Sequence, residues 1–143
     1  MTFLVDLVDG LAKTLDAAGV ATYRPDGVYK ATETAITDTV MPDQPDRAVV
    51  LTAYDTANAQ TLTDTTVYVQ VRTRAGPDPR EVAALDDAVF DVLHNSGPFL
   101  FGTARVVLIT RQSAAPLGVD PAGRFERTSN YAVRAHRPHP RLE

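Results

Sequence analysis

The stretch GPDPREVAALDDAVFDVLHNSGP, residues 76–98, constrains the fold more than any other part of the chain. Asp78 stands at an N-cap position, Pro79 takes the first helical position, and Glu81 falls three residues after the cap. Val82, Leu85, Val89, Val92 and Leu93 recur at helical spacing and make one apolar stripe. His94 suits the negative pole of the helix, and Asn95 and Gly97 stop it. A helix with a single apolar stripe must lay it on another layer.

That layer is β-sheet. RAVVLTAY (47–54) and TTVYVQVRTR (65–74) precede the helix, and ARVVLITRQ (104–112) and FERTSNYAVRAH (125–136) follow it, all rich in β-branched residues. In the second, Val67, Val69 and Val71 face one way while Tyr68, Gln70 and Arg72 face the other. In the last, Phe125, Tyr131 and Val133 are expected toward the core, with Glu126, Thr128, Asn130 and Arg134 on the opposite face. Asp120-Pro121-Ala122-Gly123 fits a type I turn. An earlier helix is expected where Leu4, Leu7, Val8, Leu11 and Leu15 recur, with Thr2 as cap and Gly19 as stop. The Thr/Asp/Pro-rich segment 20–46 reads as long and irregular, with a short extended piece where Ile36, Asp38 and Val40 alternate. The polar connection 55–64 is expected to project. The order α-β-β-α-β-β predicts one α+β domain over 1–143. Its antiparallel or mixed sheet would have four to five strands with two α-helices packed on one face, and residues 137–143 would form an exposed tail.

Composition removes several functions. The chain has no cysteine, which excludes disulfides, thiolate metal sites and cysteine nucleophiles. MTFLVDLVDG lacks a basic flank and reads as an amphipathic helix, not a secretion signal, so synthesis in the cytoplasm is expected. No apolar run approaches a membrane span. The net charge of −4 argues against general nucleic-acid binding, but it is unevenly spread. Residues 1–104 carry 7 Lys/Arg against 15 Asp/Glu, and residues 105–143 carry 7 Arg against 3 acids. Unlike ends suit head-to-tail contact between copies; two solvated surfaces are the plain alternative.

The search for chemistry yields few residues. No glycine-rich phosphate loop and no Gly-x-Ser-x-Gly is present. His136 and His139 lie in HRPHPR, where prolines preclude a regular element to position them for metal. Asp86 falls within or at the edge of the apolar arc of its helix, so it needs a partner. A structural ion pair with Arg72 or Arg111, or simple exposure at the arc's edge, is the favoured account, and a catalytic acid in an enzyme or small-molecule-binding domain the alternative. Arg72, Arg74 and Arg80 cluster at the strand-to-helix junction, where a phosphate site is conceivable. Asp78 and Glu81 would repel an anion there, which favours a subunit interface or a plain surface cluster. Arg105, Arg111, Arg124, Arg127 and Arg134 join the same set of interface candidates. A nucleic-acid surface over 105–141 stays open, although only Phe125 and Tyr131 supply the aromatics such a platform needs.

VYVQVRTRAGPDPREVAALDDAVFDVLH followed by LGVDPAGRFERTSNYAVRAHRP resembles the tail terminator (tail completion) proteins of long non-contractile-tailed phages, over roughly residues 2–138. Similar sequences, often labelled minor tail or minor capsid proteins, occur in phages of actinobacteria. The resemblance implies a structural virion protein at the head–tail junction, without cofactor, metal or catalytic residue. Copies would form a hexameric ring that stops tail-tube polymerisation and offers a surface to the head connector, with DNA passing through. Partners would be the protein itself, the tube protein and a connector or head-completion protein. A head-completion role at the same junction is the nearest alternative.

Overall fold

The computed structural model describes residues 2–55 and 64–137. The expected 55–64 connection and the tail beyond residue 137 lie outside them. The element order is α1 (Phe3–Ala17), β1 (Thr22–Tyr23), β2 (Ala35–Asp38), β3 (Ala48–Asp55), β4 (Asp64–Arg74), α2 (Pro79–Leu93), β5 (Phe99–Phe101), β6 (Ala104–Val119) and β7 (Phe125–His136). The strands form one mixed sheet in the order β1-β2-β3-β4-β7-β6-β5. β1, β2 and β3 run parallel, and every later pair is antiparallel.

Seven strands replace the expected four to five, and the helices do not lie as a layer on one face of a flat sheet. Laid flat, the two edge strands would stand about 29 Å apart at roughly 4.8 Å per neighbour. Yet α1 touches both β1 and β5, the opposite edges. The sheet therefore curls into a half-barrel that holds the helices in its concavity. β2 falls on the short extended piece expected around Ile36 and Asp38, while β1 and β5, with 2 and 3 residues, are too short to show a period in sequence.

The concave side is the core. Leu7, Leu11 and Leu15 of α1 and Leu85, Val89 and Leu93 of α2 pack on Ile36, Val49, Leu51, Val67, Val69, Val71, Ile109, Tyr131 and Val133. The alternation expected for β4 and β7 holds at Val67, Val69, Val71, Tyr131 and Val133, while Phe125 is only half-buried. Gly10 of α1 lies beneath the Phe101 ring, where any Cβ would collide with it. That contact sets the close approach of α1 to β5.

The irregular segment is held by arginines. Arg74, buried on the convex side, donates to the carbonyls of Asp46 (2.8 Å) and Pro45 (2.8 Å). Arg124 donates to the Asp43 carbonyl at 2.6 Å and pairs with Asp46 at 3.2 Å. The turn 120–123 closes through Gly123 N–H to the Asp120 carbonyl at 3.0 Å, with Gly123 at φ 80°. No helix among the described residues is long and apolar enough to cross a membrane.

Candidate assembly surfaces

Asp86 sits on the stripe of α2 at 1% exposure, where an unpaired carboxylate would be costly. Ser129 Oγ donates to it at 2.7 Å and Arg127 Nε at 3.1 Å, and Arg111 Nη1 lies 3.7 Å away. Arg111 also stacks its guanidinium 4.1 Å over Phe90, and its backbone N–H donates to His94 Nδ1 at 3.0 Å. The result is an ion-pair node joining α2 to β6 and β7. Burial first, and then the Asp86 charge, pushes the neighbouring Tyr131 phenol well above its usual range, so it stays neutral. The expected Asp86–Arg111 pair is present. Arg72 is no partner, because it points to the other face of β4 and pairs with Glu126.

The arginines at the strand-to-helix junction do not converge on an anion. Arg72 is taken by Glu126, Arg74 by loop carbonyls, and Arg80 by Asp78 at 2.8 Å. Asp78 caps α2 by accepting the Arg80 backbone N–H at 3.0 Å. Glu81 accepts the Gly76 N–H at 3.2 Å, two residues before the N-cap on which the usual capping box closes. Arg124 pairs with Asp120 and Asp46, and Arg127 with Asp86. Among the described residues Arg105 and Arg134 make no ion pair, and they sit on adjacent strands of the convex face. His136 lies 3.7 Å from Asp64, and no group of three His, Cys, Asp or Glu among the described residues is placed to hold a metal.

Two further surfaces were not legible as such. β6 runs on to Val119, so residues 112–119 (QSAAPLGV) form a strand in which every side chain is exposed. β5 covers only residues 104–106 of the outer edge of β6, and a single bridge from Ser96 reaches Ile109. The Arg111 N–H still meets His94, and beyond it β6 has β7 on one side and nothing described on the other, making a bare arm. At the other end of β6, α1 and β5 enclose a groove of about 530 Å³. Gly10, Thr14, Ala17, Leu100, Phe101 and Gly102 line it together with Asp6, Asp9 and Lys13. Pro116 and Gly118 make 112–119 read as a loop in sequence. The turn held the missing signal: a tight turn over 120–123 leading straight into β7 requires its partner strand to end at residue 119.

The family model described as "Bacteriophage tail terminator protein" matches residues 14–137. A chain of the solved structure "Virion of native gene transfer agent (GTA) particle" has a similar fold, with a TM-score of 0.61 and 16% identity over 90% of each chain. No curated protein matches the sequence.

Proposed function

Because the chain belongs to the bacteriophage tail terminator family, whose members are structural proteins of the virion, we propose that copies of it close into a ring at the head-proximal end of a tail. The ring is hexameric, stops polymerisation of the tail tube, and presents the surface to which the head connector joins. A ring requires two different patches on each copy. The observation that carries this reading is the bare arm of β6, a strand with no side chain covered in the isolated chain. Eight successive exposed residues with Ala114, Ala115, Pro116, Leu117 and Val119 among them are better explained by a partner than by water.

The electrostatic half of the reading becomes narrower. Arg111, Arg124 and Arg127 of the basic C-terminal region pair within the chain, which leaves Arg105 and Arg134 as the foremost cations for a neighbour or for DNA in the channel. Asp86 supports stability here, not chemistry. Native mass of the protein with and without purified tail tubes tests the ring. Six copies on a tube end are expected, and single copies at every tube concentration and salt level would refute it.

A further inference from the structure

We propose that the β6 arm of one copy, residues 112–119, docks in the α1–β5 groove of the next copy; the inference rests on the ring reading above and names its contact. Both parts lie on one chain at opposite ends of the same strand: the groove where β5 pairs with residues 104–106, the arm beyond Arg111. A projection at one end and a depression at the other give a head-to-tail contact, which is the heterologous kind that generates rings.

The chemistry of the two matches. From Gln112 to Val119 the arm carries no ionisable side chain. The groove is lined by uncharged residues apart from Asp6, Asp9 and Lys13, and its Leu100 is 73% exposed in the isolated chain. Those three charges are already satisfied within their own copy. Asp6 accepts Thr103 N–H at 2.7 Å and Thr103 Oγ at 2.6 Å. Asp9 pairs with Lys13 at 2.8 Å and accepts the Tyr23 hydroxyl at 2.8 Å. An uncharged arm entering this groove therefore strands no buried charge when water leaves.

The arm also shows why it offers its faces instead of its edge. Register shifts at Arg111/Ser113 and at Pro116/Gly118 break its regularity, and Pro116 has no N–H to donate. Bulges and proline are the usual protection of an edge against strand addition. Leu117 at 51% exposure and Val119 at 54% are left as anchors for a pocket.

Cross-linking tests the contact, because the chain has no cysteine of its own. Leu117→Cys and Leu100→Cys are combined in one full-length chain, assembled on purified tail tubes and oxidised. A ladder of covalent multimers is expected from the double variant and none from either single variant. Dimers from Leu117→Cys alone would mean that arm meets arm and would overturn the proposal. Rings seen by native mass without any ladder would overturn it too, while leaving the ring reading intact. Absence of rings from the unmodified protein would remove both. Leu117→Asp, whose site is exposed and whose fold is checked by circular dichroism, is expected to lower ring formation by about tenfold or more. Undiminished assembly of that variant counts against the arm.

Discussion

Replacing Asp86 by alanine separates a structural node from a reactive acid. The substitution leaves Arg127 and Arg111 without the carboxylate they share and strips a buried hydroxyl, Ser129 Oγ, of its acceptor. Breaking a buried ion pair costs about 3–5 kcal/mol, and an orphaned buried hydrogen-bonding group about 1–3 kcal/mol. Both guanidiniums keep a quarter of their surface in water, 27% for Arg127 and 25% for Arg111, so they recover hydration after the loss. The net expectation is about 3 kcal/mol. With a urea slope of about 2 kcal/mol/M, the unfolding midpoint should fall by about 1.5 M. Asp86→Asn keeps an acceptor for Ser129 and should cost less. Asp86→Ala combined with Arg127→Ala should cost less than the sum of the two, because each single change already removes the bond. An Asp86→Ala variant within about 0.5 kcal/mol of the parent would refute the node as a source of stability.

Gly10→Ala should lower the melting temperature although alanine favours helix by about 1 kcal/mol, because the new methyl collides with the Phe101 ring and must displace β5. A raised melting temperature would show that β5 yields freely. Asp6 provides a pH signature. The two bonds from Thr103 hold its carboxyl below the usual range. A folded pKa below the unfolded one contributes stability that is full above the unfolded value, about 3.9, and is lost as pH falls through the folded value. Thr103→Ala should thus flatten the stability profile on the acid side of about pH 4; an unchanged slope there contradicts the assignment.

How much of this was legible in sequence depended on how local each signal was. Asp78, Pro79 and the stripe of α2 place that helix between residues 79 and 93 without help from the rest of the chain. Val67, Val69 and Val71 fix the inner face of β4 in the same way. That alternation also excludes Arg72 as a partner for Asp86, since it lies on the face away from α2. The parity of Tyr131 and Val133 equally places Arg127 and Ser129 inward, where they meet Asp86. β1 and β5 are different: two or three residues become strands only because a neighbour is already there, whereas β2 showed itself in the alternation of Ile36 and Asp38. Curvature was illegible for the same reason, as it follows from α1 reaching both edges. The groove exists only because Gly10 lets α1 approach β5, and no pattern in either segment states their proximity.

Tails assembled in an infected host with this protein's gene inactivated provide the most direct test of the central claim. Electron microscopy of lysates would give the distribution of tail lengths and the fraction joined to heads. The account predicts tubes of uncontrolled length that fail to join heads, with both defects repaired when the protein is supplied. Tails of uniform, normal length that join heads without it would contradict the account.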